Sequence, residues 1–236
     1  MGAVASDSPA LVGLLAPMPS EMSPLARSLS LQRAPGKPVW RGRIGRTELV
    51  GTRTGVGTKL ASETTARLLD ETNPQHVMIV GIAGGMGPSQ VGDVLFPGAV
   101  VDKDTGDEFR ATPIGAVEPS GRLVTHDDFD IGPDELQRLV GAGFVAVDME
   151  TAAVARVCNE RDVPWMAVRA ISDLVGVTPG DVIDLANPDG TPNVGASLRY
   201  LATKPWRIPK LVRLARDSTA AARAAARAAR QTLEHA

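Results

Sequence analysis

The stretch FVAVDME, residues 144–150, runs an apolar segment straight into carboxylates, and a helix-like alanine-rich stretch follows at once. A carboxylate at the end of a core strand is costly unless a partner or a ligand uses it. Glu150 can accept one hydrogen bond on each oxygen, which suits a vicinal diol such as the 2′- and 3′-hydroxyls of ribose. If strand geometry persists past Asp148, Met149 points to the opposite face and offers a soft apolar surface. The spacing equally allows Glu150 to be a surface residue, or an acid favoured by the dipole of the helix that begins at Thr151.

Two further acids sit in comparable places. In AVRAISD, Asp173 ends an apolar strand, with Ser172 beside it and Arg169 four residues back. A desolvated carboxyl can hold a proton near neutral pH, as a general acid must; a loop or helix-capping aspartate fits the same pattern. In APMPSEM, Glu21 is either a base that activates water or a first-turn helix acid after Pro19 and Ser20. Gly81, Gly84 and Gly85, and earlier Gly55 and Gly57, permit a ligand to approach the backbone closely. Neither glycine stretch is a Walker loop or a GxGxxG fingerprint, so a nucleotide-phosphate cradle is not supported.

The elements that must position these residues alternate along the chain. LVGLLA (11–16), ELVGTRT (48–54), HVMIVG (76–81), DVLFPGAVV (93–101), FVAVDME and PWMAVRAISD (164–173) read as strands. Helices are expected near 19–31, 57–71 and 151–160. Such alternation implies an α/β fold whose mainly parallel or mixed sheet is covered on both faces. Ligands in open α/β sheets sit beyond the strands' C-terminal ends, where these acids and glycines gather. The polar loops 103–120 and 174–195 are candidate rims or lids.

The chain has 236 residues, 43% hydrophobic and only 3% aromatic, so alanine, valine, leucine and glycine must build one core. We expect a disordered leader over 1–10, one domain over 11–203, and a basic alanine- and arginine-rich helix over 204–236. Residues 204–230 hold eight lysines or arginines and one acid, Asp217. Arg213, Arg216, Arg223, Arg227 and Arg230 fall at helical spacing opposite an alanine face. A solvated helix docked by that face is the favoured reading, with an anionic membrane surface or an oligomer contact behind it. A formal charge of −2 gives no overall pull toward nucleic acid. The lone cysteine, Cys158, points to a reducing compartment, and the three histidines lack metal-ligand spacing. Gly2 and Ser6 fit the loose myristoylation pattern, but a signal peptide and a membrane-length apolar run are absent.

Taken in order, these stretches resemble the nucleoside phosphorylase and nucleosidase superfamily, and most of all its 5′-methylthioadenosine/S-adenosylhomocysteine nucleosidases. The resemblance spans roughly residues 11–175, through LVGLLAPMPSEM, TGVGTKLASETTARLL, VGIAGGMGPSQVGDVLFPGAVV and VAVDMETAAVARVCNERDVPWMAVRAISD. It implies a three-layer α/β fold with a mixed central sheet flanked by helices, and cleavage of a purine nucleoside without cofactor or metal. It implies that Glu150 binds the ribose hydroxyls with Met149 against the sugar. Asp173 would protonate the purine at N7 with help from Ser172, and Glu21 would deprotonate the attacking water. Phe129 would line the base pocket, and Gly84, Ala83 and Val56 the sugar side. It also implies a cytoplasmic homodimer or larger assembly.

The resemblance has departures. GIAGG places Ile82 where the nucleosidases often carry serine, and the 174–195 loop and basic tail look more like the hopanoid-associated phosphorylases. The 5′ substituent is therefore open. Hydrolysis of a methylthioadenosine- or adenosylhomocysteine-type nucleoside is the expectation, because Glu21 suits water. Phosphorolysis is the alternative, with Arg53 the only candidate phosphate ligand near the right strand end. A non-catalytic nucleoside-binding module is a third reading.

Overall fold

The computed structural model describes residues 11–112, 114–115, 117–128, 131–176, 187, 189, 191, 193, 199 and 203–235. The described strands are β1 (Leu11–Ala16), β2 (Gln32–Arg33), β3 (Val39–Ile44), β4 (Thr47–Arg53), β5 (His76–Gly85), β6 (Val94–Leu95), β7 (Ala99–Asp102), β8 (Glu108–Arg110), β9 (Arg122–Thr125), β10 (Phe144–Asp148) and β11 (Trp165–Leu174). The described helices are α1 (Pro19–Ser28), α2 (Thr58–Thr72), α3 (Pro133–Gly141), α4 (Thr151–Glu160) and α5 (Ile208–Glu234), the last preceded by a 3₁₀ turn, Pro205–Arg207.

All eleven strands join one mixed sheet in the order β2-β3-β4-β1-β5-β10-β9-β7-β8, with β11 on β5 and β6 on β11. At its centre β4, β1, β5 and β11 run parallel, so their C-terminal ends open on the same side. Their near-continuous apolar runs are what strands covered on both faces require. One face packs Leu15, Val50, Val77, Ile79 and Ala167 against α2 and α4. The other packs Leu14, Met78, Val80, Met166 and Val168 against α1 and α5. The molecule is thus helix, sheet, helix in three layers.

β5 changes neighbours along its length. Met78 and Ile79 pair with β1, whereas Gly84 and Gly85 pair antiparallel with Val147 and Ala146 of β10. On its other side β11 follows it throughout, with a bulge that leaves Ser172 between Ile171 and Asp173. Asp173 is thereby opposite Gly84, and Gly84 is opposite Val147, one residue before Asp148. Bulges of this kind re-aim side chains at strand ends.

Several expectations need correction. The 93–101 run is two strands, because Pro97 and Gly98 break it. The 103–120 loop contains β8, and Ile114 is buried in the core against α5. β10 stops at Asp148, so strand alternation cannot orient Met149. Elements β2, β3, β9 and α3 were not expected at all. The C-terminal helix docks by Ala221, Ala222, Ala225, Ala226, Ala229 and Leu233, all buried. Alanine lets it lie close to β5 and β11. Ser28 Oγ donates to the Ala226 carbonyl at 3.1 Å and Arg230 Nη1 to the Ser28 carbonyl at 2.9 Å, tying α5 to α1. Its N-terminal half is barely covered, and Val212 is 54% exposed. Among the described residues no helix is long and apolar enough to cross a membrane.

Candidate active site

Arg169 is the organising residue. It lies mid-strand in β11 with no solvent exposure, where a cation needs charged partners to be tolerated. Its Nη2 is 2.5 Å from Asp148 Oδ2 and 3.6 Å from Glu150 Oε2. Nε and Nη2 also donate to Thr151 Oγ1, at 3.2 and 2.8 Å. Burial alone would weaken its hold on a proton, but Asp148, Glu150 and Glu21 together outweigh that and raise its pKa.

Asp148 answers for one of the two costly carboxylates. Its Oδ1 accepts from Thr125 Oγ1 at 2.7 Å and from the Thr151 N–H at 3.2 Å, and its Oδ2 accepts from the Thr151 hydroxyl. The Ala152 N–H is bonded to Thr125 Oγ1 at 2.9 Å. Asp148 and Thr125 therefore cap α4. Glu150 occupies the N-cap position yet its side chain makes no capping bond. The carboxylate is left to face Arg169 and the Gly57 N–H, which donates to Oε1 at 3.1 Å. Gly57 adopts φ 97°, a conformation glycine enters freely, and this turns its N–H toward the site.

Glu21 reaches the same place from α1. As the third residue of the helix it accepts from the Met18 N–H at 2.7 Å through Oε2, and from the Ile82 N–H at 2.8 Å through Oε1. Of its two sequence readings the structure shows the first-turn acid: Glu21 closes the first turn of α1, and its carboxylate also lies over β5. Burial pushes its pKa up to about 7, against the opposing pull of Arg169. Burial likewise raises Glu150, to about 8, with Arg169 opposing and Asp148 and Glu21 adding to the rise. Three carboxylates around one guanidinium cannot all ionise cheaply out of water.

Gly81 makes this meeting possible. A Cβ there would clash with Arg169 Nη1 and Glu21 Oε1 and lie 3.2 Å from Glu21 Cδ. Its role is to admit those side chains rather than a ligand. Gly85 likewise makes room for packing, since a Cβ there would lie 2.8 Å from Ile171 Cγ2.

Asp173 stands at the end of β11, partly exposed. The Ser172 hydroxyl lies 2.6 Å from Asp173 Oδ1 and 3.4 Å from the Ala83 carbonyl, and with one proton it serves the nearer acceptor. Ala83 and Gly84 are buried, while Met149 and Val56 are half-buried. Phe129 lies outside the described residues. The structure thus joins Glu21 and Glu150 through Arg169, with Asp173 four residues further along the same strand. Sequence reasoning had noted Arg169 without giving it a task. Its signal was a cation inside the apolar run WMAVRAI, which obliges buried acids to exist elsewhere.

Arg53 does not join this cluster. It lies at the end of β4, half-buried, in a cleft of about 690 Å³ whose walls include Pro19, Met22, Arg27, Arg33, Trp40 and Thr191. None of the three site acids lines that cleft.

A family model described as the phosphorylase superfamily matches residues 11–131 and 105–187. A 5′-methylthioadenosine/S-adenosylhomocysteine nucleosidase from Tolumonas auensis is 26% identical over 228 residues, covering 80% of this chain and 99% of that protein. One of the same name from Anoxybacillus flavithermus is 30% identical over 168 residues, covering 58% of this chain and 72% of that protein. Among solved structures, the S-adenosylhomocysteine nucleosidase of Streptococcus pyogenes in complex with 5-methylthiotubericidin superposes with a TM-score of 0.72. At 21% identity over 99% of this chain and 98% of that one, it shows a shared fold.

Proposed function

The chain belongs to the phosphorylase superfamily, and from that premise we propose that it is a purine nucleosidase, hydrolysing the N-glycosidic bond of a 5′-modified adenosine of the methylthioadenosine or adenosylhomocysteine type. The observation that carries the reading is the pair Glu21 and Glu150 facing one buried guanidinium on β11, with Asp173 near the end of that same strand. Glu150 hydrogen-bonds the 2′- and 3′-hydroxyls, with Met149, Val56, Ala83 and Gly84 around the sugar and Phe129 at the base. As the C1′–N9 bond breaks, its electron pair leaves with the purine and positive charge grows on the sugar. Asp173, held by Ser172, delivers a proton to N7. Glu21 takes a proton from water as its oxygen bonds to C1′. A base with a pKa of about 7 is matched to this step at neutral pH.

Water suits this centre better than phosphate. An incoming dianion would meet Glu21 and Glu150, and the only guanidinium among them is already engaged by Asp148. The relatives' names support hydrolysis as well. A cytoplasmic homodimer is part of the same reading, and its mass in solution by light scattering tests the dimer.

The decisive assay follows adenine release from methylthioadenosine in phosphate-free buffer. Release at full rate, with free 5-methylthioribose as the other product, is the expected result. Asp173→Asn should lose about 10²–10⁴ in kcat with the melting temperature retained. Release that requires phosphate and yields a sugar 1-phosphate would overturn the reading.

A further inference from the structure

The last helix carries a surface that the glycosidic chemistry does not use. α5 docks on the sheet by its alanines, and the side it turns outward is apolar at one end and cationic at the other. At 3.6 residues per turn, Ile208, Val212, Arg216, Arg223, Arg227 and Arg230 share an arc of about 100°, and all of them are exposed. Trp206, in the 3₁₀ turn just before, is 72% exposed. Of the four large apolar side chains exposed among the described residues, Trp206, Ile208 and Val212 are three, gathered at the start of one helix. Surface hydrophobics scattered singly need no explanation, but a cluster continued by cations marks a contact surface.

α1 completes the cationic end. Arg27 comes beside Arg223 and Arg227 across an open cleft of about 390 Å³, whose other walls are Pro24, Ser28 and Ala226. Three guanidiniums line it and no carboxylate does. The acids of α5, Asp217 and Glu234, are engaged by Arg213 and Arg230. Among the described residues Arg27, Arg216, Arg223 and Arg227 form no ion pair. Arginine forks take phosphate oxygens two at a time, so the cleft suits a phosphodiester. A lipid surface joins such headgroups to apolar depth, and α5 presents that same pairing. A second copy meeting this face on a two-fold axis would bring the same unpaired arginines from both sides. Nucleic acid would leave Ile208 and Val212 in water.

We propose that the outward face of α5, with Arg27 of α1, seats the protein on an anionic phospholipid surface. Lipid phosphates lie in the cleft of Arg27, Arg223 and Arg227, and Arg216 lies over the same layer. At the other end Trp206, Ile208 and Val212 dip below the headgroups. The helix lies along the surface and does not cross it. The inference is independent of the nucleosidase reading, because none of these residues belongs to the centre of Glu21, Glu150 and Asp173.

The test floats the full-length protein with vesicles of phosphatidylcholine alone, or with about one-third phosphatidylglycerol. The protein should rise with the anionic vesicles at low salt, stay behind with the neutral ones, and be released in about 0.5 M salt, where the Debye length is about 4 Å. Each arginine removed should lower the partition coefficient about fivefold, so the combined Arg216→Gln, Arg223→Gln and Arg227→Gln variant should lose about a hundredfold. Trp206→Ala with Val212→Ser should lose about tenfold and keep its salt sensitivity. Both variants should retain the melting curve. No flotation with anionic vesicles at low salt, or equal flotation with neutral ones, overturns the inference. Anionic-vesicle binding that the triple arginine variant leaves unchanged overturns the assignment to this face. A short DNA duplex held as tightly as the vesicles, with no loss in Trp206→Ala and Val212→Ser, would reassign the face to nucleic acid. A lipid-free dimer by light scattering that Val212→Ser dissociates would reassign it to a second copy.

Discussion

Replacing Gly81 by alanine adds one methyl group at the point where α1 and β11 meet over β5. That carbon would come closer than real Cβ contacts allow to Arg169 Nη1 and Glu21 Oε1, and to 3.2 Å from Glu21 Cδ. Ordinary van der Waals separation then requires one or both groups to retreat by about 1 Å. Neither can retreat freely. Glu21 is held by the Met18 and Ile82 amides, and Arg169 by Asp148 and Thr151, and both side chains are buried. Overpacking of this kind costs about 1–3 kcal/mol, a fall in melting temperature of about 2–12 °C for a chain of this size. Displacing a base by 1 Å costs about 10²-fold in rate. The expected outcome for Gly81→Ala is thus a folded protein, melting several degrees lower, with kcat for methylthioadenosine down about a hundredfold. Gly132→Ala is the control, because a Cβ there meets nothing within 4 Å and its φ is −64°. Wild-type kcat and melting temperature in Gly81→Ala would refute the account of how Glu21 and Arg169 are packed.

Two further outcomes follow from the same cluster. Glu21 and Glu150 have folded pKa values raised above the ordinary 4.5, so between roughly pH 5 and 8 the folded chain keeps protons that the unfolded chain has released. Their contribution to stability is therefore largest below that window and is lost as pH rises through it; Glu150→Gln should make the fall in melting temperature across it shallower, and an unaltered slope would contradict the burial of that carboxyl. Arg169→Met strips the countercharge from Asp148 and should cost about 3–5 kcal/mol, or about 6–20 °C. Adding Asp148→Asn to it should recover part of the loss, and a double variant no more stable than Arg169→Met would show that the ion pair is not the source of the cost.

Much of the frame was legible because burial on both faces writes long apolar runs. LVGLLA gave β1 to the residue, and the alanine-rich stretch after Glu150 gave α4. β3, VWRGRI, alternates arginines with half-buried residues near a sheet edge, and such a run lacks the apolar continuity that marks the central strands. Helix α3 did announce itself, with Pro133 at its first turn and Asp134 and Glu135 behind it, but the surrounding polar sequence hid the signal. The acids of the centre were legible one by one. What joins them was not, since Arg169 reaches Asp148, Glu150 and Glu21 only through long-range pairing, and the bulge that re-aims Asp173 leaves no mark in ISD. Gly81 was legible as a close approach, while what approaches it required the fold.

The docking of α5 shapes the birth of this protein. Ala221 to Leu233 cover the side of β5 and β11 formed by Met78, Val80, Met166 and Val168. A nascent chain emerges N-terminus first, so those strands can assemble with α2 and α4 while their other surface stays wet and sticky until the last alanines leave the ribosome. Ribosome stalling or premature termination within the arginine-rich tail would yield half-clad sheets prone to clumping, and holdase chaperones would find their target on that bare methionine-bearing surface.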